Sequence, residues 1–427
     1  MENIADPEEV INKKFKKFVM KDVLDKIGFG FGSQQFINVL LFLSGASLFL
    51  IGIINGLKAV LSMLVGIFAA EYNRCKKISK KFIGLSGIVF GFSFLVMAFG
   101  KFVGSPLVFS IAVILSGVSI VIYGDFSQTF FFIGKRREIL EKITKYGLII
   151  TAISLFLSAF LIDNYTENTL SLFTIFGKPL IIKLPGYLIA FEVAAIAFIL
   201  SGYFLASVDD ESSQSVQAFS LSSFFSDVKQ KSKGIFGNKF LLTLMAFNII
   251  TGLVQVIGNS YYGIFIYQNF RDSNFGGFLN IAMVFLIGVF SSLIGYFITK
   301  LNTKSYGPIF MIILGSIFLS SMPLAYYFGT NLAWLTAGTI LGVIGGSALG
   351  ISNNMLIIES LQEQDRKYYY ISSGLFSIIP YLVLIPLLSY IAQGSLNFLF
   401  LLLSIILGAS TILILCSYKF TRTSIKS

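Results

Sequence analysis

The chain contains no histidine. That absence removes His-based metal sites, Ser-His-Asp and Cys-His nucleophile systems and histidine proton relays, and so disfavours most membrane enzymes. Charge is scarce too: Asp, Glu, Lys and Arg make up 12% of 427 residues, against roughly a quarter in a soluble domain. Cysteine is limited to Cys75 and Cys416, so there is no disulfide framework, and both fall near the side assigned below to the cytoplasm. No glycine-rich phosphate cradle occurs, which excludes ATP as a direct energy source. No loop interleaves basic and aromatic residues as a nucleic-acid groove would, and no cofactor is implied.

What is present is apolar sequence, 55% hydrophobic with a mean hydropathy of +0.83. The runs are continuous, not alternating, so in a bilayer they are α-helices and not a closed barrel. Stretches of about 20 apolar residues predict about twelve spans, near 29–53, 55–73, 82–100, 105–126, 146–163, 185–206, 239–267, 276–299, 307–328, 332–357, 370–392 and 396–417. Of the 32 Lys and Arg, all but Lys58, Lys101, Lys178, Lys183 and Arg271 then fall on the side of both termini. The positive-inside bias makes that side cytoplasmic and requires an even number of spans. The net charge of +11 thus reports topology and anionic headgroups.

Before the first span, Asp6, Pro7 and Glu9 form a capping signal, and Ile11, Phe15, Phe18, Val19, Leu24 and Ile27 share one face among Lys13, Lys14, Lys16, Lys17 and Lys21. Residues 1–27 therefore read as a cytoplasmic amphipathic helix, on the membrane surface or solvated. Residues 207–238 change character, with Asp209, Asp210, Glu211 and a Ser/Gln-rich run before Phe224 and Phe225, and read as a cytoplasmic linker. The segment GIFAAEYN from Gly66 pairs with GYFITKLN from Gly295, each followed by basic residues and each joining two apolar runs. Recurrence at about half the chain length predicts two similar bundles, 28–206 and 239–418, with a tail at 419–427. The expected fold is an all-α integral membrane protein with two pseudo-symmetric six-helix bundles.

Polar residues at helical spacing inside spans point to a bundle interior or a solute path. The best stripe is Asn248, Thr251, Gln255, Asn259 and Tyr262 on the seventh span, whose amides and phenol suit a neutral or zwitterionic solute; the alternative is interhelical packing. Weaker faces are Gln35 and Asn38 on the first span, Ser116, Ser119 and Tyr123 on the fourth, and Ser347, Gly350 and Asn354 on the tenth. Glu192, deep in the sixth span, is a coupling site for a proton or cation, or a protonated acid bonded to a neighbouring helix. Asp125, near the cytoplasmic end of the fourth span, is within reach of Arg136 for a gate-type salt bridge, or is a solvated helix end. Lys58 sits at the expected outer start of the second span beside Asn55 and Ser62, where snorkelling to the interface is expected and contact with an anionic solute is the alternative.

Two six-helix bundles, cytoplasmic termini, a long central linker and basic loops after the second and eighth spans together resemble the major facilitator superfamily. The resemblance covers the whole chain. In that family the loop after the second span reads approximately G-x-x-x-D-R-x-G-R-K, and its charges lock helix ends during alternating access. Gly66 fits, Glu71 stands one place late for the acid, Arg74, Lys76 and Lys77 supply cations, and the second glycine is missing. The fourth span has no Arg and the fifth no Gly-Pro pair, unlike proton-driven drug antiporters. Gln255, Gly258, Asn259, Tyr261 and Tyr262 faintly resemble the seventh span of sugar porters, at different spacing. The resemblance implies that the first, fourth, seventh and tenth spans line a central cavity. The expected function is secondary active or facilitative transport of a small neutral, zwitterionic or amphipathic solute, without enzyme activity, by a monomer in the plasma membrane. Partners would be the solute, membrane lipids, and protons or Na+, with no nucleic acid. A lipid flippase or scramblase, a membrane enzyme, and a receptor on the same scaffold are the alternatives.

Overall fold

The computed structural model describes residues 7–75, 78–127, 137–165, 169–175, 178–207 and 220–426. Its elements are α1 (Pro7–Phe31), α2 (Gln34–Leu43), α3 (Leu48–Cys75), α4 (Lys80–Phe102), α5 (Pro106–Ser127), α6 (Arg137–Asn164), β1 (Thr169–Ile175) and β2 (Lys178–Lys183). There follow α7 (Gly186–Ala206), α8 (Leu221–Gly237), α9 (Lys239–Phe270), α10 (Gly277–Tyr306), α11 (Pro308–Phe328), α12 (Leu332–Ser360), α13 (Glu363–Gly394) and α14 (Leu396–Lys426). Eleven of them, α3 to α7 and α9 to α14, are long and apolar enough to cross a membrane. Among the described residues the protein is helical apart from the β1–β2 antiparallel hairpin, which lies in the connection between α6 and α7.

Local chemistry explains where the helices start and stop. Ser79 accepts a hydrogen bond from the Phe82 amide (3.2 Å) and Asn331 one from Trp334 (2.9 Å), capping α4 and α12. Pro106 and Pro308 open α5 and α11, where a missing N–H costs nothing. The turn between α4 and α5 needs Gly104, whose φ of 65° an L side chain rarely adopts. Pro380 and Pro386 lie inside α13 without ending it.

The amino-terminal region differs from the expected map. The expected first span, 29–53, is divided: α1 ends at Phe31, α2 covers Gln34–Leu43, and α3 already begins at Leu48. The breaks fall at Gly32-Ser33 and at Ser44 to Ser47, small residues that hydropathy averaging passes over. Nor does the helix expected at 1–27 stay on a surface, for Lys21 and Asp25 are buried and α1 packs along α6 and α7. Its charges can be buried because Lys21 and Asp25 lie one turn apart and neutralise each other, 2.6 Å between Nζ and Oδ2. The paired segments at Gly66 and Gly295, expected as loops, are the last turns of α3 and α10.

Contacts divide the chain into two units. The first comprises Met1–Ala46, Phe68–Phe219 and Arg271–Ala282, the second Ser47–Ile67, Ser220–Phe270 and Met283–Ser427. In the first, Phe90 packs edge-on to Phe198 (4.5 Å between centroids) and Phe94 (5.3 Å), and Phe29 closes on Phe198 (5.1 Å). Such pairs contribute about 0.5–1.5 kcal/mol each beyond area burial. Helices α4 and α7 approach so closely that a Cβ on Gly202 would stand 2.6 Å from the Gly84 carbonyl oxygen. The start of α10 belongs here because the Asp163 carboxylate, at the end of α6, accepts from the amides of Phe278 (2.9 Å) and Leu279 (2.7 Å). A carboxylate at a helix N-terminus satisfies amides that the helix itself leaves open.

In the second unit Tyr262, Phe265, Tyr326 and Phe400 form the aromatic core, with Tyr262 stacked on Phe400 (5.3 Å). Gly315 and Gly345 bring α11 onto α12 as Gly84 and Gly202 do for α4 and α7. The early turns of α3 lie against α13, Gly56 facing Ile385 and Ser377 bonding to the Met63 sulfur (3.4 Å). Part of the expected linker is folded: α8 buries Phe224, Val228, Ser232 and Ile235, and Ser232 bonds Ser372 of α13 at 2.6 Å.

Candidate functional site

The polar stripe of α9 keeps one helical face but changes surroundings along it. Near its start, the Asn248 amide donates to Asn353 of α12 (3.2 Å) and to the Tyr369 phenol of α13 (3.4 Å). Thr251 is buried and returns its hydroxyl to the Phe247 carbonyl (2.9 Å). Gln255 and Asn259, near the middle of α9, are exposed, although they stand in a helix apolar enough to cross a membrane. Tyr262, a turn further, is packed among Tyr326 and Phe400 on α11 and α14. The stripe is thus a hydrogen-bonded junction at one end, two accessible amides in the middle and an aromatic core at the other. On α12, Asn354 is exposed and accepts from the Tyr370 phenol (2.9 Å).

Sequence spacing alone did not single out Asn353, Tyr369 and Tyr370, which with Asn248 and Asn354 make a polar cluster across α9, α12 and α13. The adjacent pairs Asn353-Asn354 and Tyr369-Tyr370 were the available signal. A second group lies one turn from the Asn248 junction, where Tyr381 of α13 places its phenol 2.6 Å from where a Cβ on Gly252 would be. Glycine at 252 is what lets that ring reach α9.

In the first unit, Gln35 and Asn38 of α2 are both buried, and Gln34 donates to the Asn38 carbonyl oxygen (3.0 Å). Ser119 of α5 is buried and bonds its own helix at Leu115 (2.9 Å). Tyr123 is fully buried, and its neighbours are ionic. Its phenol donates to Asp25 Oδ1 (2.7 Å) and lies 2.5 Å from the Ser201 hydroxyl, while Ser201 also reaches Asp25 Oδ1 (2.6 Å). The Lys21 ammonium stands 4.7 Å from the Tyr123 ring centroid. Helices α1, α5 and α7 are thereby joined by one buried network whose carboxylate is fully engaged, leaving it suited to holding helices together. Lys21, Asp25 and Ser201 were not anticipated. The i, i+4 spacing of Lys21 and Asp25 was the readable sign.

Glu192 of α7 is half-buried and makes no hydrogen bond or ion pair with any described residue. Among the residues of the expected gate, Gly66 is half-buried in α3 and Glu71 is buried, engaged by a neighbour. The side chains of Arg74 and Asp125, and all of Lys76 and Arg136, lie outside the described residues. Lys58 is not at the start of its span, because α3 begins at Leu48 and carries it to the helix middle.

No family model matches the sequence, and no curated protein sequence does either. Solved structures do match in fold. The nucleoside transporter NupG superposes with a TM-score of 0.70 at 11% identity, over 96% of this chain and 99% of that one. A point mutant of NupG gives 0.73 at 10% identity, over 95% and 100%. A bacterial homologue of the iron transporter ferroportin, in its inward-facing state, gives 0.61 at 10% identity, over 97% and 99%. With its apolar helices and this correspondence along its whole length, the chain is an integral membrane protein with the major facilitator fold.

Proposed function

We propose that the protein is a secondary active or facilitative transporter, moving a small neutral, zwitterionic or amphipathic organic solute by alternating access between two helical bundles. The observation that carries this reading is the pair of exposed amides, Gln255 and Asn259, in the middle of the apolar helix α9. In lipid such groups demand a partner or a water-filled path, and two amides donate and accept hydrogen bonds as an uncharged solute group requires. Nucleoside and metal transport by the proteins of matching fold supports solute transport as the class. Amides and phenols favour an organic solute within it.

Asn248, Thr251 and Asn354 then border the solute from the α9–α12 side, and Gln35, Asn38 and Ser119 are the polar positions offered by α2 and α5. Glu192 is the coupling acid, for a proton or Na+. Glu71, with Arg74, Lys76, Asp125 and Arg136, forms the gate at the cytoplasmic side. The protein works as a monomer in the plasma membrane with both termini inside. The test is flux into proteoliposomes of purified protein across a panel of nucleosides, sugars, amino acids and amphipathic amines, with and without a pH gradient. Gln255→Ala lowers the apparent affinity about tenfold, the value of one well-made hydrogen bond. Glu192→Gln abolishes gradient-driven accumulation and spares downhill exchange. If no solute crosses while fluorescent lipids redistribute between leaflets, the protein is a lipid mover instead.

A further inference from the structure

We infer that Lys58 is a recognition group for an acidic function, a carboxylate or phosphate, on the transported solute. The inference rests on the transporter reading but departs from its uncharged solute: it selects zwitterions within that reading and admits anions beyond it.

Depth comes first. Lys58 stands about ten residues beyond Leu48, or roughly 15 Å along α3, half the thickness of a hydrocarbon core. Snorkelling to a headgroup layer spans no such distance with a four-carbon stem.

Orientation comes second. Ile51, Ile54, Asn55, Lys58 and Ser62 recur at helical spacing on one face of α3, and the first three of them are inside: Ile51 is 0%, Ile54 3% and Asn55 7% exposed. About a quarter turn round the helix from that face, Leu50, Leu57 and Leu61 are exposed. Lys58 therefore belongs to the inward face, and it is half-buried where its neighbours nearer Leu48 are closed off. It is held by at least one contact within the protein. An ammonium has three N–H donors, so it can serve a protein contact and a solute oxygen together.

Level is the third observation, and it is internal to the second unit. The Tyr261 phenol of α9 bonds the Leu48 carbonyl (3.0 Å), which aligns those two residues in height. The helices run in opposite directions, so Lys58 lies at about the height of Thr251, and Gln255 is within roughly 6 Å of that level. Tyr381 of α13, against Gly252, is at the same height. A positive charge, an exposed amide and a phenol thus share one level of the second unit. The set matches a solute with an anionic end and a polar, hydrogen-bonding body.

The test uses full-length purified protein and matched solutes that differ by an acidic group: adenosine with adenosine 5′-monophosphate, glucose with gluconate, choline with glycine betaine. The expected result is that the acidic member of at least one pair raises the melting temperature and its partner does not. Lys58→Gln should weaken that binding at least tenfold, and Lys58→Arg should hold it within about threefold, while both variants melt unliganded as the parent does. Should Lys58→Gln not fold, Gln255→Glu replaces it. A second negative charge at that level should weaken the acidic solute tenfold or more with Lys58 in place. The inference is overturned if no acidic solute stabilises the parent, or if Lys58→Gln (or Gln255→Glu in its stead) binds it unchanged. Flux separates the two readings. A neutral solute carried equally by parent and Lys58→Gln removes the role of Lys58 and keeps the transporter, whereas acidic solutes that bind but never cross keep the site and remove the transporter.

Discussion

Lys21 and Asp25 show how one pair of side chains decides where a segment goes. Each alone costs several kcal/mol to take out of water. Together, with Tyr123 and Ser201 filling the remaining acceptor positions on the carboxylate, they are buried to 7% and 9% side-chain exposure. Removing one partner is therefore worse than removing both. Asp25→Ala should destabilise by about 3–5 kcal/mol, read as a lower melting temperature in detergent. Lys21→Met combined with Asp25→Leu should recover most of that loss, and a double variant no more stable than Asp25→Ala would show that the pair is not buried as described. Tyr123→Phe, which leaves one carboxylate oxygen short of a donor, should cost about 1–3 kcal/mol in the same measurement. Polar residues on the expected spans were legible in the sequence because they stand out against apolar neighbours. Lys21 and Asp25 were not, because hydropathy scores each charge by itself and only the fold shows that they cancel.

Among the helices, close approach depends on residues with almost no side chain. Gly202 faces the Gly84 carbonyl across the α4–α7 contact, and no flexible side chain there can move aside. Gly202→Leu should lower the melting temperature by the equivalent of about 1–3 kcal/mol, while Gly408→Ala, with nothing within 4 Å, should leave it unchanged. Equal effects would remove the packing account. Helix α8 makes a different case. Residues 207–238 read as a cytoplasmic linker, yet Phe224, Val228 and Ile235 recur at helical spacing and are buried. Val228→Asp should release α8 from α13 and make Lys229 and Lys231 sites of rapid tryptic cleavage, which in the parent should resist. Most of the eleven apolar helices were legible to within a few residues because lipid demands length and hydropathy of each, although α3 and α13 begin seven residues before their expected starts. Elements α1 and α2 were not, since one carries charge and the other is shorter than a span.

Across the whole chain, a fold shared with NupG at 11% identity shows how little of the sequence the architecture needs. Apolar runs, breaks between them and small residues at crossings are enough, and each tolerates many substitutions. The residues proposed to bind solute follow no such rule, which is why the amides on α9 were readable as candidates and the level of Lys58 was not: its height depends on where α3 begins. Orientation is testable at this scale. With Cys75 and Cys416 replaced by Ser, a cysteine at Lys178 should react with an impermeant thiol reagent added to intact cells, and one at Ser222 should react only after lysis. The reverse pattern would invert the membrane topology.

The buried network of α1 also bears on how the chain is made. Asp25 meets Tyr123 across 98 residues and Ser201 across 176. At about 5–20 residues per second, the ribosome supplies Ser201 some 9–35 seconds after Asp25 has emerged. Through that interval the Lys21–Asp25 pair lacks the Tyr123 and Ser201 hydroxyls that complete its network. The packing of α1 is therefore completed only when α5 and α7 arrive to receive it, and a chain truncated before α7 should leave α1 accessible to protease on the side where it was synthesised.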